Sequence, residues 1–202
     1  VVLADLDVDG LKDAEQELSA YGTVLALPAD VSKREHVEVL ARRTIDEFGA
    51  VHILCNNAGL NSRAEPALWE LPYEEWQTVI GVNLWGVLNG MHVFVPLMLE
   101  QNTEGHIVNT ASAAGLGSRP GISTYVATKA AVVALSESLH HELARAGSKL
   151  HASVLCPGRV RTPVRMGGYN RSRVARTEEE SDAEGRKMLP SEVGALVLNA
   201  IR

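Results

Sequence analysis

The sequence predicts an α/β chain built on a parallel sheet with helices over both faces, the doubly wound arrangement. Three features carry that expectation. Short runs that are apolar throughout, such as TVLALPA, VHILC and LHASVLC, read as strands buried on both sides, because a sheet facing water would alternate apolar and polar positions. Longer segments with helical spacing of apolar positions separate these runs one by one. No repeat and no shift of composition divides the chain, so residues 1–202 are read as a single domain.

Residues 1–6 (VVLADL) form the first strand, and a helix with its charges on one side runs from about 9 to 21. Residues 23–29 are the second strand, after which Ser32 is placed to cap a helix continuing to about residue 48. Residues 51–55 are the third strand, followed by a loop and a long helix over about 73–101. Trp76, Val79, Leu84, Val87, Phe94 and Met98, among others, cover most of the circumference of that helix. A helix apolar nearly all round is buried on more than one side, so one side can face the sheet and the other calls for a partner. Strand 106–110, the glycine-rich turn AAGLGSRPG, a helix through Tyr125 to about 146, strand 150–156 and a helix over 190–202 complete the alternation.

Composition excludes several classes. A formal net charge of -6 gives no electrostatic case for nucleic acid or an anionic membrane surface. No apolar run in the sequence approaches the roughly 18–20 residues of a membrane span. Cys55 and Cys156 each lie in a strand-like apolar run, a pattern that suits buried free thiols in a reducing compartment, with the cytoplasm as the default. No protein metal site is supported: His141-Glu142 begins a zincin-like string, but Arg145 stands where the second histidine belongs. Gly121-Ile-Ser123-Thr-Tyr125 begins like a hydrolase nucleophile elbow, but tyrosine replaces its final glycine.

Tyr125 and Lys129 stand four residues apart on a helix-grade run, and Ser112 lies thirteen residues upstream of Tyr125, at the end of a strand. Spacing of four places both side chains on one helix face. A tyrosine hydroxyl has a reference pKa of about 10, and bringing it near neutrality requires roughly 3–4 kcal/mol of phenolate stabilisation. A close ammonium can supply much of that, and a serine at the carboxyl end of a strand is where ligands of open α/β sheets bind. The three residues read as apparatus for moving a proton on a carbinol or carbonyl oxygen, with Ser112 holding the oxygen that Tyr125 protonates or deprotonates.

On these residues the chain resembles the short-chain dehydrogenase/reductase family, whose hallmark is a serine followed by Tyr-x-x-x-Lys on a Rossmann-type sheet. CNNAG at 55–59, Asn83 in GVNLWG, and Pro157-Gly158 with Thr162 match further family motifs in the family's order, over essentially all 202 residues. The resemblance implies hydride transfer between a secondary alcohol or ketone and nicotinamide, with Asn83, Ser112, Tyr125 and Lys129 as the catalytic set. Asn83 would support a water linking Lys129 to solvent. Lys129 would also reach the nicotinamide ribose. Asn57, Ala58 and Gly59 match the stretch passing the ribose, Asp30 and Val31 the adenine contacts, and Val160 and Thr162 the carboxamide contacts. Asp5 ends a strand where a carboxylate can accept both adenosine ribose hydroxyls, and no neighbouring cation compensates a 2'-phosphate, which favours NAD over NADP.

The family pattern also implies a chain truncated at both ends, lacking the first strand with its glycine-rich turn and the last strand. In the order 3-2-1-4-5-6 that first strand lies between the second and fourth. Without it the halves of the sheet should meet across a gap, and the fragment alone should fold poorly, bind NAD weakly and be inactive. The family's dimer contact, through the long helix and the Tyr125 helix, implies a homodimer or homotetramer in the full-length protein. Six arginines between 159 and 176, followed by an acidic run, read as a solvated loop or as receptors for an anionic substrate. An alternative reading is a catalytically silent dinucleotide-sensing protein, which would have no physical need for all four catalytic positions.

Overall fold

The computed structural model describes residues 1–61, 66–161 and 187–202. In chain order these form β1 (Val2–Asp5), α1 (Val8–Leu18), β2 (Leu25–Pro28), α2 (Arg34–Phe48), β3 (Ile53–Asn56), α3 (Tyr73–Ile80), α4 (Gly86–Gln101), β4 (Gly105–Thr110), α5 (Ser123–Arg145), β5 (Leu150–Leu155) and α6 (Pro190–Ile201). A π-helical turn, Gly81–Trp85, joins α3 to α4, so the predicted long helix is one continuous rod with a bulge in it.

All strand pairs are parallel, as the alternation of strands and helices requires. The strands form two separate sheets, in keeping with the expected gap between the halves. β1 pairs with β2 in one sheet, and β3, β4 and β5 pair in that order in a second. The prediction that every strand is buried on both faces holds for β4 alone, where His106, Ile107, Val108 and Asn109 are all buried. β4 lies between two neighbours under helices. β3 is an edge strand whose Leu54 is buried while Ile53 and Cys55 are exposed. Cys55 is therefore not the buried thiol expected, and Cys156 is only half-buried; both are free.

The main core joins α2, β3, α4, β4, α5 and β5 through Val37, Leu54, Met98, Ile107, Leu143 and Leu150. The rod Tyr73–Gln101 is 29 residues long with a mean hydropathy of 1.4 in its most apolar window, long and apolar enough to cross a membrane. This departs from the sequence reading, which found no apolar stretch of that length. Val79, Val87, Phe94, Val95 and Met98 are nevertheless buried within the protein, as in a core helix. At its far end the Gln101 amide pairs with both backbone groups of Val51, donating to its carbonyl and accepting from its N–H at 2.8 Å each, and so locks α4 to the entrance of β3.

Ser32 does not cap α2. Asp30 Oδ1 accepts from both the Ser32 backbone N–H (3.0 Å) and its hydroxyl (2.7 Å), so the hydroxyl is committed to a stronger acceptor. The helix starts at Arg34, with Lys33 at the N-cap and no side-chain cap.

Candidate active site

Parallel strands place all their carboxyl ends at one edge, and the sequence-predicted residues collect there: Asp5 as the last residue of β1, Asp30 and Val31 after β2, Asn57–Gly59 after β3, Ser112 after β4, and Pro157 and Gly158 after β5. The turn after β4 sets Ser112 in extended backbone, its Oγ accepting from Ala114 N at 3.2 Å to begin a short 3-10 turn, Ala113–Leu116. Ala113 N donates to the Pro157 carbonyl at 2.9 Å, which holds this turn against the exit of β5. Gly115 permits the turn to press onto α5. A Cβ there would lie 2.6 Å from the Lys129 carbonyl carbon and 2.8 Å from its oxygen, too close for any side chain.

α5 presents Tyr125, half-buried, and Lys129, only 3% exposed. Lys129 Nζ donates to the Thr110 carbonyl at 2.8 Å and stands 5.8 Å from the centroid of the Tyr125 ring, inside cation–π range. Burial lowers the Lys129 pKa from 10.5 to about 8, partly offset by the Cys156 thiol. Burial likewise raises the Cys156 pKa, opposed by a hydrogen bond from the Ser112 backbone and by Lys129. The Ser112 and Tyr125 hydroxyls share no hydrogen bond among the described residues.

Asn83 sits in the π turn and is fully buried. Its Oδ1 accepts from Leu60 N at 2.7 Å, and its Nδ2 donates to the Leu60 carbonyl at 2.9 Å and to Thr128 Oγ1 at 3.3 Å. A Cβ on Gly59 would lie 3.4 Å from both Asn83 Oδ1 and Lys129 Nζ, so three of the predicted positions converge. Val31 is held by α4: Asn89 Nδ2 donates to its carbonyl at 2.8 Å, and Gly86 packs so closely that a Cβ would meet Val31 Cγ2 at 2.7 Å. Asn57 Oδ1 accepts from the Thr110 hydroxyl at 3.0 Å. Asp5 Oδ1 accepts from Asp7 N at 2.9 Å, which fixes the carboxylate at the strand end. Gly158 is exposed with no atom of the described residues near its missing Cβ, and Val160 forms a parallel bridge with Met188. Thr162 and the arginines from 165 to 176 lie outside the described residues.

The sequence reading missed Thr110, Thr128, Leu60 and Asn89. Asn89 carried a signal, a lone amide in an apolar helix; the others had none that separates them from ordinary loop or helix residues.

Residues 1–172 match the family described as short chain dehydrogenase, and the chain belongs to that family. It is 39% identical over 168 residues to the 1-deoxy-11-beta-hydroxypentalenate dehydrogenase of Streptomyces exfoliatus, covering 83% of this chain and 60% of that protein. A CLA biosynthesis dehydrogenase/reductase of Lactiplantibacillus plantarum is 35% identical over 166 residues, which are 81% of this chain and 57% of that protein. The chain thus spans less than two thirds of these relatives. Among solved structures, a short chain dehydrogenase/reductase from Burkholderia phymatum in complex with NAD superposes with a TM-score of 0.84 at 38% identity, over 99% of this chain and 75% of that one. An alcohol dehydrogenase from the archaeon Thermococcus sibiricus, complexed with 5-hydroxy-NADP, gives 0.79 at 27% identity, over 97% of this chain and 77% of that one.

Proposed function

We propose that this chain carries the catalytic part of an NAD(P)-dependent oxidoreductase that interconverts a secondary alcohol and a ketone. The observation that carries the reading is Lys129: a buried ammonium against the Tyr125 ring, anchored to Thr110. Burying a charge is costly unless it is paired and hydrogen-bonded. Among the described residues its hydrogen-bond acceptor is the Thr110 carbonyl, which leaves further donors to face ribose hydroxyls, so the residues fit a dinucleotide.

When bound, nicotinamide supplies the hydride acceptor or donor. The chain's own residues do the rest. Tyr125 exchanges a proton with the substrate oxygen, Ser112 orients that oxygen, and Lys129 favours the phenolate by its charge. Asn83 is assigned to proton relay towards solvent, through the π turn its side chain fixes. Asp5, Asp30, Val31, Asn57, Ala58, Gly59, Pro157, Gly158, Val160 and Thr162 are assigned to the cofactor, with Asp5 favouring NAD. The NAD bound to the Burkholderia relative supports that direction, and the NADP analogue on the archaeal one opposes it.

The division of the strands into two sheets supports a further strand between β1 and β3, and with it the expectation that these residues alone bind NAD weakly. Trp85, 56% exposed on the long rod, supports a homodimer or homotetramer, which mass measurement of the full-length protein tests. Free cysteines suit the cytoplasm.

The deciding experiment is NAD reduction by the full-length protein with a panel of secondary alcohols. Turnover with at least one supports the reading; cofactor binding without turnover on any would favour the sensor.

A further inference from the structure

The amide of Asn83 has three partners whose hydrogen-bonding roles are fixed. The Leu60 N–H can only donate, and it donates to Oδ1 at 2.7 Å; the Leu60 carbonyl can only accept, and it accepts from Nδ2 at 2.9 Å. The third partner is Thr128. Its hydroxyl could act either way, but its proton goes to the Tyr125 carbonyl at 2.9 Å, which can only accept. A lone pair of Thr128 Oγ1 is therefore what faces Asn83, at 3.3 Å, and both hydrogens of Nδ2 are used. Asn83 is 0% and Thr128 2% exposed, so water cannot replace any of these bonds without a local opening. The amide oxygen is left on the side of Gly59, where Lys129 Nζ also lies.

We infer that Thr128 is a positioning residue for the proposed reaction: its hydroxyl couples the π turn and the Leu60 loop to the turn of α5 that carries Tyr125 and Lys129. The inference rests on the oxidoreductase reading above. Three segments distant in sequence are joined through the Asn83 amide, which bonds Leu60 on one side and Thr128 Oγ1 on the other. The loop is fixed by Leu60, the π turn by Asn83, and the helix by the Tyr125 carbonyl. Helix formation does not require threonine there, since alanine is the better helix former. What alanine or valine lacks is the acceptor. Either would leave an Asn83 N–H unpaired in a dry site, and the amide could regain a partner only by moving.

The test compares Thr128→Val, Thr128→Ser and Thr128→Cys in the full-length protein. Serine keeps the acceptor, and cysteine is a weak one of similar size. Two readouts are taken: kcat and KM on the best alcohol with NAD, and hydrogen exchange at the Leu60 amide. The expected result is that Val and Cys lower kcat about tenfold, the scale of one buried hydrogen bond, with KM for NAD little changed. Leu60 should exchange about tenfold faster in both, with Ser close to wild type in each readout. Should Val fail to fold, the Ser and Cys pair decides. Wild-type kcat and Leu60 protection in Cys or Val would overturn the inference, as would faster exchange with no loss of kcat. If the wild-type protein turned over no alcohol, the reading of its function would fail, and Leu60 exchange would still decide whether Thr128 couples these segments.

Discussion

Lys129 Nζ donates to the Thr110 carbonyl at 2.8 Å, a bond that ties α5 to the end of the strand leading to Ser112. It fixes the ammonium in a place where burial lowers its pKa from 10.5 to about 8. Between those values the unfolded chain holds a proton that the folded chain has released, so stability should rise with pH across that window. Below about pH 8 both states are protonated and the cost of burying the cation is fully present. Urea unfolding of wild type and Lys129→Met from about pH 7 to 10.5 checks this. The rise attributable to Lys129 should vanish in the methionine variant, and equal slopes in the two proteins would show that the ammonium is not held as described.

Tyr125→Phe removes one oxygen and little packing. If the hydroxyl transfers the proton, turnover should fall by roughly 10²–10⁴-fold, the usual worth of a general acid or base. NAD affinity, measured by calorimetric titration, should stay close to wild type because the other residues proposed to hold the cofactor are untouched. A variant that keeps wild-type turnover would remove the mechanism.

The candidate triple of Ser112, Tyr125 and Lys129 was legible because its spacing is local. Tyr125 and Lys129 share a helix face by arithmetic alone, and Ser112 follows a strand in the same segment. What holds them was not legible. Thr128 meets Asn83 across 45 positions and Lys129 meets Thr110 across 19, distances at which no periodicity carries information. The helices were placed within a few residues of their ends, since amphipathic spacing is a strong signal. The strands were harder: TVLALPA and VHILC are as apolar as HIVNT, yet only β4 is buried on both faces, because burial depends on which strands flank it. Ser32 failed as a cap for a similar reason, since Asp30 competes for its hydroxyl two residues away.

Two glycines are expected to be irreplaceable for steric reasons. At Gly115 a Cβ would strike the backbone of Lys129 and Ala130, which cannot yield as a side chain can. At Gly90 a Cβ would collide with the Asn56 side chain, whose Nδ2 donates to Asn109 Oδ1 at 2.8 Å within a buried network. Alanine at either position should cost roughly 1–3 kcal/mol of stability by overpacking, read by denaturant unfolding. Gly115→Ala should also reduce turnover, because it displaces the Ser112 turn from α5. Gly117→Ala is the control: no atom of the described residues lies within 4 Å of its missing Cβ, and both quantities should be near wild type. Similar losses at Gly117 and Gly115 would mean that loop entropy, not the close approach, sets the effect.

Cofactor choice is expected to turn on Asp5. Its Oδ1 accepts from Asp7 N at 2.9 Å, so the carboxylate is held at the strand end and cannot swing away from a phosphate brought beside it. A 2'-phosphate there would meet a fixed like charge, and juxtaposed like charges discriminate by several kcal/mol when desolvated and less when exposed. Asp5 is exposed, which argues for the lower end. Asp5→Asn keeps an acceptor for Asp7 N and removes only the charge. It should raise the ratio of kcat/KM with NADP to that with NAD by about tenfold or more. Most of the gain should fall on the NADP side, and raising the salt should narrow the difference between wild type and variant by screening the exposed charge. A ratio that does not move in the asparagine variant would place cofactor discrimination elsewhere on the chain.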